Sequence, residues 1–285
     1  HVLRGAQNWH ELEAWTYSLL ERYCWAVPSD VRRQRPEVSL FDHVRTSCAI
    51  AAALCIRDQP QFDEGRPGRT TFLLIQGDVS GVQDYVYGVA NVGPGGVAKR
   101  LRARSFFITA LTEVVAHWLR EELVPGHPLP IAAQILSGGA QFVMLAPDLP
   151  VVREKLKEIR RGVNQWLWTE FQGDLALVLE SLPISQKRLL IEEGNICEAL
   201  DELKQRVEAG KLQRLGDLLQ DDGGWVEEAF KWEAAPYPDG DCPSCRRLPA
   251  RAGEDAEMDD RLCKRCYADR LLSERFVQAH YIAYY

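Results

Sequence analysis

Four cysteines carry the clearest chemistry in this chain. Cys242-Pro-Ser-Cys245 and Cys263-Lys-Arg-Cys266 are paired CxxC units with 17 residues between them. Each CxxC turn directs two thiolates at one point, and two such turns complete the tetrahedral set that Zn2+ takes in structural sites. Four sulfur ligands leave no open position for a substrate, so the role read here is structural: zinc folding a local ribbon, contributing on the order of 10 kcal/mol. A secreted disulfide scaffold would be shorter, with its cysteines spread more evenly. A reducing, cytoplasmic setting is therefore expected. The other cysteines, Cys24, Cys48, Cys55 and Cys197, stand singly in apolar surroundings and read as core thiols.

Three further stretches invite chemistry. The run Gly93-Pro-Gly-Gly-Val-Ala-Lys99-Arg100 looks like a phosphate loop but lacks the Gly-Lys-Ser/Thr ending that such a loop needs. It reads either as a connector or as loop amides that meet a phosphate beside Lys99 and Arg100. Lys99, Arg100, Arg102 and Arg104 fall in a segment, residues 85–112, that holds no acid. Cations in the first turns of a helix oppose its dipole. They read equally as contacts to RNA, a nucleotide or an acidic partner, or as solvated surface. Asp42-His43 suggests a phosphohydrolase metal site, but the other five histidines do not supply the further ligands, and capping and packing explain the pair better.

These residues must be positioned by regular elements. Residues 8–25 and 40–57 read as helices, the second capped by Ser39 or Asp42. Thr71–Gln76 is a buried strand, Gly81–Gly88 a short helix, and Val97–Leu123 one long amphipathic helix about 40 Å in length. Strands follow at Ile131–Leu136 and Gln141–Leu145, joined by Ser137-Gly-Gly-Ala140, where glycine supplies a positive φ. A helix over Pro150–Phe171 and a strand at Leu175–Leu179 complete the order. This is the split βαβ of the ferredoxin-like fold, found in polymerase palms and RNA-recognition modules. The expected class is α+β. The expected domains are a helical linker segment (1–69), a palm (70–185), an acidic helical insert (186–235), and a zinc ribbon leading into a helix over Tyr267–Phe276 (236–285).

In that topology Gly77-Asp-Val-Ser-Gly81 and Ser137-Gly-Gly139 are expected to meet. Asp78 then stands where palm enzymes keep a metal-binding carboxylate. In-line phosphoryl transfer needs two or more carboxylates holding ions about 4 Å apart, and the turn at 137–140 holds no acid. This palm by itself is expected to be inactive.

Composition sets the bounds. The 285 residues are 46% apolar and 26% charged, enough for a buried core. No run approaches the roughly 18 apolar residues of a membrane span. The net charge of −7, from 41 acids and 34 bases, argues against a chain coated with nucleic-acid-binding charge. Residues 192–233, with 12 acids and 5 bases, hold an imbalance of the same size. Such a run is most simply a solvated face. Beginning on His and ending on Tyr284-Tyr285, the chain reads as a piece of something longer.

Together the segments resemble the large subunit of type III CRISPR effector complexes, of the Csm type. The resemblance is carried by Trp25-Ala-Val-Pro-Ser29, Val38-Ser-Leu-Phe-Asp-His-Val-Arg-Thr46, Gly77-Asp-Val-Ser-Gly-Val-Gln-Asp-Tyr-Val-Tyr87 and Ala98-Lys-Arg-Leu-Arg-Ala-Arg-Ser-Phe-Phe107. Leu111-Thr-Glu113, Ser137-Gly-Gly139 and the paired CxxC extend it over nearly the whole chain. The resemblance implies a parent subunit with an HD nuclease domain, two palms, a zinc domain and a Gly-Gly-Asp-Asp hairpin on the second palm. It implies assembly with CRISPR RNA, target RNA and other Cas subunits, and conversion of ATP, with Mg2+ or Mn2+, into cyclic oligoadenylates. Neither the HD motif nor the Gly-Gly-Asp-Asp hairpin is in this sequence. By the same resemblance Asp78, Ser80, Gly81, Ser137, Gly138 and Gly139 face the nucleotide, and Cys242, Cys245, Cys263 and Cys266 hold zinc. The alternative is a non-enzymatic scaffold that contacts CRISPR RNA and neighbouring subunits.

Overall fold

A computed structural model describes residues 6–32, 37–62, 70–88, 97–190, 195–221, 224–226, 239–253, 257 and 261–279. The chain forms two compact units, one from residues 1–78, 112–164 and 177–214, the other from 79–111, 165–176 and 215–285.

The first unit is built on a four-stranded sheet. Its strands are β1 (Phe72–Ser80), β2 (Gln134–Gly138), β3 (Gln141–Pro147) and β4 (Ala176–Ile184). Their order, β2-β3-β1-β4, is that of the ferredoxin-like fold, with β3 antiparallel to both β1 and β2. β1 runs four residues past the expected Gln76 because its pairing with β3 continues to Asp78 opposite Gln141. β4 runs on to Ile184 despite Pro183, which an edge strand tolerates. Ile131–Ala133 is a 3-10 turn after Pro130 rather than the start of β2. Gly77 faces Phe142 in the register, and a Cβ there would overlap the phenyl ring.

Both faces of this sheet are covered. Helix α1 (Trp9–Cys24) is capped by the Asn8 side chain, and α2 (Leu40–Arg57) by Ser39, whose hydroxyl accepts the Asp42 N–H at 3.0 Å. The side chains of Phe72 and Leu74 on β1, Val143 and Leu145 on β3, and Leu182 and Ile184 on β4 pack against Ala49 and Ala53 of α2. Ala199 and Leu203 of a further helix, Ile196–Leu212, join them; together with Val207 they recur every fourth residue. By strand alternation Leu73 and Ile75 face the other side. There a helix at Pro150–Phe171 docks through buried Asn164, which accepts the Leu177 N–H at 2.8 Å and donates to the Leu177 carbonyl at 3.0 Å. In chain order these two helices are α5 (150–171) and α6 (196–212).

Helix α3 (Val82–Tyr87) and the first half of α4 (Val97–Glu122) belong to the second unit. So do α7 (Gly216–Leu219), a two-residue hairpin of β5 (Gln220–Asp221) and β6 (Gly224–Trp225), the cysteine-bearing turns, and α8 (Lys264–Gln278). The hairpin lies within the insert expected to be helical. The glycine-rich loop at Gly93–Gly96 lies outside the described residues. Among the described residues no helix is long and apolar enough to cross a membrane.

The single cysteines are not core thiols. Cys48, Cys55 and Cys197 are exposed and Cys24 is half-buried. On α2 the core positions are Ala49, Ala53 and Ile56, which turns Cys48 and Cys55 outward.

Candidate functional site

The four expected ligands converge in the second unit. The sulfurs of Cys242, Cys245, Cys263 and Cys266 all lie within 4.8 Å of one another, the one group of three or more potential metal ligands among the described residues. A tetrahedral ion with sulfur at about 2.3 Å places its ligands about 3.8 Å apart. Cys245 Sγ and Cys263 Sγ are 3.8 Å apart, so the set fits such an ion. The backbone adds donors: the Cys263 N–H reaches Cys242 Sγ at 3.2 Å, and the Cys266 N–H reaches Cys263 Sγ at 3.4 Å. The second of these bonds is also the N-cap of α8. Held this close, the thiols cannot all ionise alone. The neighbouring S–H groups push the Cys242 pKa down, and the Cys242 thiolate pushes those of Cys263 and Cys266 up. A divalent cation removes that conflict.

Helical periodicity divides the basic stretch between two environments. Lys99 and Arg102, three residues apart on α4, are exposed, and Arg100 is half-buried. Arg104, four residues after Arg100, is 3% exposed. Its Nε donates to Asp269 Oδ2 at 2.7 Å, and the guanidinium carbon sits 4.7 Å above the Tyr85 ring. The expected RNA or partner contact at Arg104 is therefore corrected: an internal carboxylate, 165 residues away in sequence, takes its charge.

In the first unit the sheet brings two distant glycine-bearing segments together. Gln141 on β3 is flanked by Asp78 on β1 and by Gly138 on β2. Two inter-strand steps, about 10 Å in all, separate those flanking residues. Gly139 turns the hairpin at φ +66°, which favours glycine. Gly138 is not at positive φ, and a Cβ there would meet nothing within 4 Å. Glu113 on α4 accepts the Ser137 hydroxyl and, at 3.3 Å, the Gln134 amide. In the sequence Glu113 stands only in the resemblance string Leu111-Thr-Glu113, with no chemistry attached; its partners on β2 come from the fold. Asp78 is not free, since Lys211 on α6 meets it at 3.0 Å and also holds Glu208 at 2.9 Å. Burial raises the Asp78 pKa, and Lys211 only partly offsets that. Ser80 and Gly81 belong to the second unit, where Gly81 at φ +88° starts α3.

The chain matches the family model described as Csm1 subunit domain B over residues 71–222. It is similar to a protein of Thermococcus onnurineus named CRISPR system single-strand-specific deoxyribonuclease Cas10/Csm1 (subtype III-A). The two are 33% identical, covering 90% of this chain and 31% of that one. The protein of the same name in Mycobacterium tuberculosis is 29% identical over 88% of this chain and 30% of its own length. The chain thus spans about a third of the curated relatives it matches. Among solved structures it is similar to the Csm1–Csm4 cassette in complex with AMPPNP. That match has TM-score 0.62 and 30% identity, over 81% of this chain and 29% of that one. The cassette in complex with cA3 matches with TM-score 0.60 and 33% identity, over 70% of this chain and 27% of that one.

Proposed function

The chain belongs to the Csm1 family of type III-A CRISPR proteins, and on that premise we propose that it supplies the non-catalytic palm of an RNA-guided antiviral effector. In this reading it forms one wall of an ATP cleft. A second palm, whose Gly-Gly-Asp-Asp hairpin is not in these 285 residues, joins adenylates into cyclic oligoadenylates there. Residues 70–185 are the palm, between a linker segment (1–69) and an acidic insert (186–235), and residues 236–285 are the ribbon, with Zn2+ as its ion.

The observation that carries the reading is Gly138. Neither backbone conformation nor packing requires glycine there. A side chain would, however, fill the space through which a ligand approaches the hairpin backbone. Asp78, two strands away, marks the other side of the same rim. The solved relatives in complex with AMPPNP and with cA3 support a nucleotide in this family's cleft. This palm's own work is binding and orientation: Ser137, Gly138 and Gly139 on the hairpin, with Asp78 and Ser80 at the end of β1 and Gly81 after it, contact the nucleotide. The metal carboxylates come from the other palm.

Ser137→Trp in the assembled effector complex tests this. Cyclic oligoadenylate synthesis is expected to fall at least tenfold while the complex keeps its size by gel filtration. Synthesis at the wild-type rate would refute the reading.

A scaffold reading rests on a different observation, the exposure of Lys99 and Arg102 in a segment without acids. Reversing both charges to Glu is expected to weaken assembly with RNA and neighbouring subunits if this surface is a contact. Unchanged assembly would remove it.

A further inference from the structure

Arg104 is a buried charge, and the groups around it are unusual in combination. Its three nitrogens go three ways: Nε to Asp269 Oδ2 at 2.7 Å, Nη1 to the Tyr85 carbonyl at 2.5 Å, and Nη2 to Cys266 Sγ at 3.8 Å. Tyr85 ends its contribution on α3, Arg104 sits on α4, and Cys266 and Asp269 lie one turn apart on α8. One planar guanidinium thus joins three helices of the second unit to a metal-ligating sulfur. Burying a guanidinium is costly unless every donor finds a partner. Asp269 alone would satisfy the charge. The reach to Cys266 needs its own account.

The metal centre supplies one. A divalent ion with four thiolates carries a net charge of −2, and three of the four cysteines here are buried. Such a centre is stabilised by cations and by donors aimed at its sulfurs. Groups of this kind also fix the ligands' orientation. Arg104 is both cation and donor. Arg265, next to Cys266 in the chain, is held instead by Asp174 at 3.1 Å, which leaves Arg104 as the guanidinium that reaches a sulfur of the cluster.

We infer that Arg104 is a positioning residue of the four-cysteine centre, through which metal occupancy sets the placement of α3 and the first turns of α4. The inference stands on the metal cluster alone and does not require the nucleotide reading. Its consequence is directional. With the metal bound, Cys266 and the first turn of α8 are fixed, Arg104 keeps all three partners, and the Tyr85 carbonyl is held. With the metal removed, Cys266 is released and the grip on α3 and α4 loosens with it. Those are the helices that follow Gly81 and that carry Lys99 and Arg102.

Cobalt(II), loaded into the metal-free full chain, provides the readout, because its sulfur-to-metal charge-transfer band reports thiolate ligation. Competition against a chelator is measured for the wild type, Arg104→Lys and Arg104→Gln. Both variants are expected to lose about 10- to 100-fold in metal affinity, with an unchanged band at saturating cobalt, since all four ligands remain. In parallel, metal removal from the wild type is expected to speed hydrogen exchange over residues 82–111, with strand β3 still protected. Wild-type affinity in both variants overturns the inference, as does exchange over 82–111 that ignores the metal. If a variant also loses β3 protection, it has misfolded, and the wild-type exchange measurement decides alone.

Discussion

Lys211 Nζ lies 3.0 Å from Asp78 Oδ2, so helix α6 reaches the carboxylate near the end of β1. The partner is a residue of α6, 133 positions later in the chain, and Glu208 on the preceding turn shares the same ammonium. The contact gives α6 a specific task beyond presenting a solvated face. It also neutralises an aspartate that, in a catalytic palm, would be reserved for a metal ion.

Titration of Asp78 follows from its burial. The folded-state pKa is raised, first by desolvation, with Lys211 pulling it partly back. As pH falls, the folded protein therefore takes up this proton before the unfolded chain does, and stability gained through this group rises until the unfolded-state pKa is passed. Relative to Asp78→Asn, the wild type is expected to gain thermal stability on acidification through that window. A relative loss of Tm over the same range would contradict the assignment.

Gly77→Ala is expected to destabilise the first unit by about 1–3 kcal/mol, because the added methyl overlaps the Phe142 ring across the β1–β3 pair. Urea unfolding of the variant measures it. A change below about 0.5 kcal/mol, the size of an indifferent substitution, would show that Phe142 moves aside without cost.

Asn164→Leu tests the join between α5 and β4. The substitution leaves the Leu177 N–H and carbonyl, both served by the Asn164 amide, without that partner in the core. The expected loss is about 2–4 kcal/mol. Hydrogen exchange at Leu177 should rise before exchange in β3 does.

Metal loss should act locally. Cys245→Ser removes one of the four sulfurs and is expected to abolish stable retention of one ion per chain, read by native mass spectrometry. Exchange over residues 240–250 and 261–270 should accelerate, while the β1–β3 pairs of the first unit keep their protection. Full retention of the ion would argue against this ligand set.

Much of the architecture was legible from local patterns. The paired CxxC turns fix their own ligand geometry within a few residues. Pro150 and the apolar spacing of α5 defined a helix from Pro150 to Phe171, and the structure has the same bounds. The order of strands and helices was enough for the ferredoxin-like sheet. Periodicity said less where a turn competed with a strand, as at Ile131–Ala133. It also said less where an edge strand tolerated polar residues and proline, as in β4.

By itself, then, the sequence determined most of the elements, the four-cysteine cluster and the family resemblance, because each depends on residues near one another or on a repeated spacing. The tertiary structure decided which charges are spent internally. Arg100 and Arg104 look alike in a basic run, yet Arg104 is buried against Asp269, 165 residues away, while Arg100 is half-buried. Asp78 looks like a free ligand until α6 folds over it with Lys211. Whether a charged side chain serves a partner or the fold depends on what burial brings against it, and that is a property of packing between distant segments.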